Sequence, residues 1–229
     1  MQFDFIKEDE VSDIFETYLT DEFQNKHVIR ETESFETSHL TECPRRLNYA
    51  SNGEKGKHTQ TQLEAKIHEF AKKKLIAMFA KNKQIKIVGE AVEVSDCNYN
   101  MVGVLDVAVK YKDNLYLVQF YSLKDEEFKH ILEEGPPRKH VVEVVLNRWL
   151  TEKGELVIIY ENRYSGEHKV YHIQLYKPIV DAAKAKSLQL INDKLLGKTP
   201  DRPYKTSTAA ECTVCEYCDL CWHKRRKDA

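Results

Sequence analysis

The sequence predicts a mixed α/β domain in which helices flank a sheet. Three segments rich in β-branched and aromatic residues follow one another closely, at 85–94, 101–111 and 114–122. Two more segments of this kind, 154–163 and 169–176, come after a helical stretch. The order of elements is therefore α-β-β-β-α-β-β-α, which is typical of a sheet with helices on both sides. A chain of 229 residues is long enough for one such domain and a small appendage.

The helices are predicted from apolar periodicity and from residues that favour helix ends. A first helix is expected to begin within residues 41–50, where Thr41 is a candidate cap and Pro44 suits the first turn. A second helix is predicted between residues 60 and 80. Its apolar residues close to one face are Leu63, Ile67, Phe70, Leu75 and Phe79. Two later helices are predicted at residues 141–153 and 179–196.

Three regions follow from this arrangement. Residues 1–40 are polar and acidic and are expected to form an N-terminal helical segment. Residues 41–197 form the α/β domain, in which Lys112-Asp113-Asn114 is predicted to be a hairpin turn. Residues 198–229 hold a linker, a cysteine-rich segment and a basic tail.

The composition limits the possible partners. With 35 basic and 37 acidic residues the formal net charge is −2, so any nucleic-acid site must be a local basic patch. No run of about 18 apolar residues is present, so no membrane span and no membrane partner is expected. The N-terminus lacks a basic region followed by an apolar stretch, so no secretory signal is expected. We therefore expect an intracellular protein.

The six cysteines are distributed unevenly. Cys43 and Cys97 stand alone, and Cys97 is expected to be a half-buried strand residue. The other four lie within ten residues, at Cys212, Cys215, Cys218 and Cys221. Intracellular thiols stay reduced, so this crowding favours a metal over disulfides. A zinc site made of two such closely spaced pairs would be strained, whereas an iron–sulfur cluster accepts ligands from distant segments; zinc and unliganded thiols remain alternatives.

The segment Cys43–Tyr49 (CPRRLNY) resembles the C-P-R-x-x-x-Y segment of Cas4 and RecB/AddB-type nucleases of the PD-(D/E)XK superfamily. In that family a lone N-terminal cysteine joins three C-terminal cysteines spaced C-x2-C-x5-C, the spacing of Cys212, Cys215 and Cys221. The resemblance implies a [4Fe-4S] cluster held by these three and Cys43, with Cys218 as an extra thiol. It also implies the restriction-endonuclease-like mixed sheet, with the C-terminal cysteines tied to the N-terminal one.

The resemblance extends to a nuclease centre whose residues are altered. Metal-dependent phosphodiester cleavage needs carboxylates that hold Mg²⁺ or Mn²⁺ and a group, often Lys, that helps to activate water. Asp106, within Gly103-Val-Leu-Asp106, resembles the family's G-x-x-D, although an Asp on the solvent face of the hairpin is the alternative. On the next strand Gln119 and Tyr121 occupy the positions of the family's acid and lysine. Both changes predict that cleavage is weakened or lost.

Other residues could replace the missing groups. Glu143 stands where RecB-like nucleases have the Gln of Q-x-x-x-Y, and it is a candidate migrated carboxylate; Asn147 stands at the Tyr position. Lys124 or Lys139 could substitute for the absent lysine. His68 resembles the metal-binding His of the family, although a lone helical His is often structural.

Several basic residues are candidate phosphate contacts. They are Arg45, Arg46, Arg138, Lys139, Lys224, Arg225 and Arg226. Lys72, Lys73 and Lys74 are more typical of a solvated helix face. Tyr49 and Trp222 either cover the predicted cluster or stack on bases.

The resemblance implies a DNA-binding iron–sulfur protein with an impaired nuclease centre. Its expected ligand is single-stranded DNA or duplex ends, within a larger replication, recombination, repair or CRISPR-type assembly; phages also encode such proteins. One alternative is an active metal-dependent DNA exonuclease that uses Asp106, Glu143, His68 and a displaced lysine. The other is a structural or adaptor subunit that does not bind DNA.

Overall fold

The computed structural model of the chain describes residues 34–54 and 62–223, without the side chains of residues 62–66 and 223. Most of the predicted N-terminal helical segment therefore lies outside the described residues, as do the predicted DNA contacts Lys224, Arg225 and Arg226. The part of that segment that is described is not an α-helix. It forms a short strand, β1 (Phe35–Glu36), and a 3-10 turn, Thr37–His39. The extended conformation arises because β1 pairs in parallel with the start of a longer strand.

The predicted strands and helices occur in the predicted order, and the structure adds two short helices near the C-terminus. The helices are α1 (Pro44–Ser51), α2 (Gln62–Lys81), α3 (Asp125–Glu134), α4 (Arg138–Thr151), α5 (Lys177–Leu195), α6 (Ala210–Thr213) and α7 (Cys218–His223). The strands are β2 (Ile85–Asp96), β3 (Met101–Tyr111), β4 (Asn114–Leu123), β5 (Glu155–Asn162) and β6 (His168–Ile173). None of the helices among the described residues is both long enough and apolar enough to cross a membrane.

Some predicted details are wrong. Helix α1 is capped by Cys43 and not by Thr41, because the chain around Thr41 forms a turn closed by the Glu42 N–H and the His39 carbonyl at 2.9 Å. Cys97 is exposed because β2 ends at Asp96 and the chain turns there. The predicted hairpin turn is confirmed, since β3 and β4 are joined by a tight turn after Tyr111.

The strands form one mixed sheet of six strands. Strand β3 pairs antiparallel with β2 along most of its length and with β4 at its carboxyl end. Strand β4 pairs in parallel with β5, and β5 pairs antiparallel with β6. Parallel and antiparallel pairs in one sheet, with helices on both faces, match the fold class predicted from the sequence.

The core has two apolar layers, one on each face of the sheet. Helix α4 covers one face, where Val144 and Leu146 are fully buried in the same cluster as Leu105 of β3. Helix α2 covers the opposite face through Leu75 and Phe79. The sheet is thus enclosed between α2 and α4, and side chains from both helices pack against it.

Strands β3 and β4 separate at one point, and this opening is called the fork. Their pairing ends at Val107 and Val118. Asp106 and Gln119 are the next residues in register, but from there β4 continues beside β5, and the start of β3 pairs with β1. The Phe120 N–H donates to Asp106 Oδ2 at 2.7 Å in place of a backbone partner. A carboxylate is therefore held where the sheet opens.

Candidate active site and cysteine cavity

Asp106 carries the negative charge of the fork. Its side chain is only 6% exposed, and Lys72 of α2 places Nζ at 3.0 Å from Asp106 Oδ1. A buried carboxylate is costly without a partner, and here the ammonium and the Phe120 N–H together satisfy it. The run of lysines at 72–74 predicted a solvated face for Lys72, and for this residue that prediction is wrong. The signal in the sequence is the position of Lys72 directly after Ala71, at the margin of the buried face of α2.

The strand positions that hold an acid and a lysine in the resembled family hold an amide and a phenol here. Gln119 is buried, and its Oε1 has no hydrogen-bond partner among the described residues. The Tyr121 hydroxyl donates to Glu143 Oε2 at 2.7 Å. Neither side chain brings a charge to the fork, so the charge balance depends on the neighbouring helices.

Glu143 of α4 reaches the same centre, as the sequence analysis proposed for a migrated carboxylate. Burial is the main cause that raises the pKa of Glu143 to about 7, and the negative charge of Asp106 raises it further. The hydrogen bond from Tyr121 and the charge of Lys139 act in the opposite direction. Glu143 is therefore partly protonated near neutral pH, and it lies within electrostatic range of Asp106.

His140 lines one side of the centre, and the sequence did not predict this position for it. Its ring stacks on Tyr121 with centroids 3.7 Å apart and planes 13° apart, and its Nδ1 lies 3.0 Å from the Tyr160 hydroxyl. Burial lowers the pKa of His140 to about 3, with smaller effects from Lys139 and His68. Burial also raises the pKa of both tyrosines. His140, Tyr121 and Tyr160 are therefore uncharged at neutral pH.

His68 of α2 lies at the edge of this centre. Its ring centroid is 6.1 Å from that of Phe120 and 6.4 Å from that of Tyr121. Burial lowers the pKa of His68, and the charge of Asp106 opposes this effect. The structure brings His68 to the centre, and its role as a metal ligand stays a prediction.

The positive charges of Lys139 and Arg163 act on residues of the centre. Arg138 and Lys139 are exposed at the start of α4, and Lys124 is exposed at the N-cap of α3. The positive charge of Arg163 acts on His68, and its guanidinium donates to the Ser122 carbonyl at 2.7 Å. The lysine in contact with Asp106 is Lys72, not either of the two lysines that the sequence analysis suggested.

The centre as folded does not fit a divalent cation. Such an ion needs several oxygen ligands, preferably ionised carboxylates. Both oxygens of Asp106 are engaged, Glu143 is bonded to Tyr121, and the second strand position is a neutral amide. Within residues 34–54 and 62–223, no three His, Cys, Asp or Glu side chains are grouped so as to hold a metal ion.

Five of the six cysteines line one cavity, called here the cysteine cavity. It has about 310 Å³ of atom-free space that is partly open to solvent. The cysteines that line it are Cys43, Cys212, Cys215, Cys218 and Cys221. None of the six cysteines, all of which are described, forms a disulfide. Burial raises the pKa of the Cys215 thiol.

Two arginines of α1 join this helix to the C-terminal segment. Arg45 donates from Nε to the Pro200 carbonyl at 2.7 Å and from Nη1 to Cys221 Sγ at 3.4 Å. Arg46 makes two contacts with Glu216, at 3.0 and 2.7 Å. Both guanidinium groups thus have partners within the protein, and their role in DNA binding stays a prediction.

Aromatic rings cover the cysteine cavity. Tyr49 and Tyr217 have centroids 5.8 Å apart, and Tyr217 is buried. The Arg202 guanidinium lies over the Trp222 ring, 4.4 Å from its centroid. These contacts agree with a covering role for Tyr49 and Trp222, while stacking on bases stays an untested alternative.

The chain resembles known nuclease structures in its fold. An alkaline exonuclease, LHK-Exo from Laribacter hongkongensis, matches with a TM-score of 0.58 and 7% identity over 72% of this chain and 90% of its own. The same enzyme in complex with dAMP matches with a TM-score of 0.54 and 8% identity, covering 78% of this chain and 86% of the other. The protein SSO0001 matches with a TM-score of 0.53 and 15% identity, covering 90% and 96% of the two chains.

Comparisons of the sequence itself found no relative. No protein-family model matches the chain, and no curated protein matches it. At these low identities the structural likeness concerns the fold. The chain is therefore an α/β protein with a nuclease-like fold that it shares with an alkaline exonuclease.

Proposed function

We propose that this chain is a DNA-binding protein of nuclease fold in which the cleavage centre is disabled and a [4Fe-4S] cluster joins the two ends of the domain. The observation that carries the proposal is the state of the fork. Its one strand acid, Asp106, is neutralised by Lys72 at 3.0 Å, and the next strand has Gln119 and Tyr121 where cleavage needs charged groups. A centre of this kind keeps a surface that binds DNA, but it lacks the free carboxylates that hold a catalytic metal.

The proposed ligand is single-stranded DNA or a duplex end. Arg138 and Lys139 are exposed at the start of α4, the helix that carries Glu143, and supply positive charge for a phosphate backbone; the charge of Lys139 acts on Glu143. A solved neighbour is an alkaline exonuclease with bound dAMP, which supports a nucleotide ligand for this fold. A larger assembly for replication, recombination, repair or CRISPR-type adaptation is the proposed setting.

The proposed cluster ligands are Cys43, Cys212, Cys215 and Cys221. They line one cavity, and four thiolates are the usual donor set of such clusters. Because each thiolate binds a different iron, a cluster needs wider sulfur spacing than a single ion. When bound, the cluster would supply a covalent link between α1 and the C-terminal segment.

A cleavage and binding experiment tests the function. The full chain is mixed with labelled single-stranded DNA or blunt duplex, with Mg²⁺ or Mn²⁺, and both anisotropy and product formation are followed. We expect binding without cleavage. Metal-dependent cleavage that disappears in Asp106→Asn would overturn the disabled centre, and absence of binding to either DNA would overturn the DNA-binding function.

A second experiment tests the cluster. Protein purified without oxygen should show the broad visible absorption of an iron–sulfur cluster and about four iron atoms per chain. Cys43→Ser should lose both signals, while Cys97→Ser, at an exposed position in the turn after β2, should keep them. Zinc without iron in the oxygen-free preparation would contradict the proposal.

A metal-dependent DNA exonuclease is the second candidate. It is favoured by the position of Glu143, whose pKa responds to Asp106, and by the buried, unpartnered Oε1 of Gln119 among the described residues. This candidate predicts cleavage that is lost in both Asp106→Asn and Glu143→Gln. The disabled centre predicts no cleavage in any of the three proteins.

A further inference from the structure

We infer that Lys72 is the resident cation of the fork, and that its ammonium excludes a divalent metal ion from the oxygens around Asp106. This inference rests on the proposed function, because it explains how the nuclease centre is disabled. It adds a defined residue and a defined consequence: removal of the ammonium creates a site for a hard cation.

Lys72 balances the charge of Asp106. Asp106 is nearly inaccessible, so its charge must be met by groups inside the protein. Lys72 Nζ at 3.0 Å and the Phe120 N–H at 2.7 Å together take both of its oxygens. A divalent ion at Asp106 would either have to displace the ammonium or lie directly beside it, and two adjacent positive groups repel each other.

The second argument is the position of Lys72 on α2. Its side chain is 22% exposed, whereas that of the next residue, Lys73, is 71% exposed and pairs with Glu69 on the surface. The two lysines belong to the same helix and differ in the face on which they lie. Because the Lys72 ammonium is tethered beside Asp106, a dissolved cation competes with a partner of very high local concentration.

The third argument is the set of oxygens that remains. Glu143 accepts a hydrogen bond from the Tyr121 hydroxyl through Oε2 at 2.7 Å, and it is close enough to Asp106 for the charge of Asp106 to act on it. Gln119 adds a buried Oε1 that has no hydrogen-bond partner among the described residues. Two carboxylates and one amide oxygen form a suitable donor set for Mg²⁺ or Mn²⁺ once the ammonium is absent.

The test is a titration of the full chain with Mn²⁺, in which free Mn²⁺ is followed by its electron paramagnetic resonance signal. The proteins are the wild type, Lys72→Met and the matched control Lys73→Met. Methionine keeps the length and packing of the lysine stem without the charge. We expect Lys72→Met to bind one additional Mn²⁺ about tenfold or more tightly than the wild type or the control. Adding Asp106→Asn to Lys72→Met should abolish this site.

Two results would overturn the inference. One is a folded Lys72→Met protein, judged by its circular dichroism, that binds no more Mn²⁺ than the wild type. The other is a wild type that already binds Mn²⁺ at an Asp106-dependent site with equal affinity. The titration contains no DNA, so its outcome is separate from the failure of DNA binding that would sink the proposed function.

A melting experiment covers the case in which Lys72→Met does not fold. Removing the ammonium leaves Asp106 buried without its counter-charge, whereas Lys72→Met combined with Asp106→Asn removes both charges. The double variant should therefore fold and melt at a higher temperature than either single variant. If the two substitutions are additive in their effect on the melting temperature, Lys72 and Asp106 are not coupled and the inference fails.

Discussion

Gly103 lies beside the hydrogen bond that Thr37 donates to Asn147 at 2.7 Å. A Cβ atom at this position would overlap Asn147 Oδ1 and would lie 2.8 Å from Thr37 Oγ1. Asn147 is fully buried and also donates to the Val104 carbonyl at 3.2 Å. The glycine of the G-x-x-D motif is thus required by the close approach of α4 to β3.

Gly103→Ala should therefore destabilise the fold. We expect a loss of about 1–3 kcal/mol in the free energy of unfolding, because the methyl group displaces Asn147 from its partners. Urea unfolding measures the effect. In an Asn147→Ala background the same substitution should cost clearly less, and an equal cost in both backgrounds would contradict the explanation.

His140 is held neutral by its surroundings. Burial lowers its pKa to about 3 from the ordinary value of 6.5, so the folded protein leaves it uncharged between these two pH values. The unfolded chain binds a proton there below pH 6.5. Between pH 6.5 and pH 3 the unfolded state therefore holds more protons, and stability falls as the pH falls.

This gives a pH prediction. In His140→Phe, which keeps a ring beside Tyr121, the contribution of His140 to the loss of stability below pH 6.5 should vanish. The wild type should lose on the order of 2 kcal/mol more than the variant between pH 6.5 and pH 4. Comparing the two unfolding curves cancels the opposite contribution of Glu143. Parallel stability curves over this range would show that the assigned cause is wrong.

At the scale of elements, α1 and the C-terminal segment are joined by buried and half-buried polar contacts. Arg46 makes paired contacts with Glu216, and the two side chains are 20% and 22% exposed. Lys186 of α5 holds the segment before α1 through contacts from Nζ to the carbonyls of Leu40 at 2.8 Å and Glu42 at 2.5 Å. The cysteine cavity is therefore assembled from two parts of the chain that are distant in sequence, residues 43–49 and 204–222.

Glu216→Gln should loosen the C-terminal segment. Loss of a partly buried paired contact of about 1 kcal/mol corresponds to roughly fivefold more frequent local opening. Limited digestion with thermolysin, followed by mass spectrometry of fragments from residues 198–223, measures the rate. Glu69→Gln removes the exposed partner of Lys73 and should leave the rate unchanged. Equal rates in the two variants would exclude the proposed role of Glu216.

The fork is also a property of elements. The sequence was sufficient to predict strands β3 and β4 and the turn between them, because alternation and turn residues are local signals. It did not reveal that the pairing stops at Val107 and Val118. That limit coincides with a change of partner by β3, whose start pairs with β1, a segment distant in sequence.

At the scale of the whole molecule, the net charge of −2 conceals an uneven distribution. Arg138 and Lys139 are exposed at the start of α4, the helix that carries Glu143, while the charge of Asp106 is neutralised inside the protein. The proposed DNA ligand would approach the molecule on this side.

Combined Arg138→Ala and Lys139→Ala should weaken binding of single-stranded DNA at all sequences alike. Each lost phosphate contact should also reduce the slope of log affinity against log salt by about 0.7. Fluorescence anisotropy over a range of NaCl concentrations measures both quantities. Lys129→Ala, which removes an exposed lysine of α3 paired with Asp125, is the control. An unchanged slope in the double variant would place the DNA elsewhere.

The sequence by itself was enough to predict the α/β class and the order of the main strands and helices. It also predicted that Cys43 lies near the C-terminal cysteines, and it placed Gln119 and Tyr121 at the strand positions of the centre. These features depend on residue type and on short-range periodicity, which are present in the chain before it folds. The neutralisation of Asp106 by Lys72 and the stacking of His140 on Tyr121 were decided by the tertiary structure alone. Periodicity indicates which face of a helix is buried, but the side chain that reaches a given carboxylate depends on how α2 and α4 are seated on the sheet.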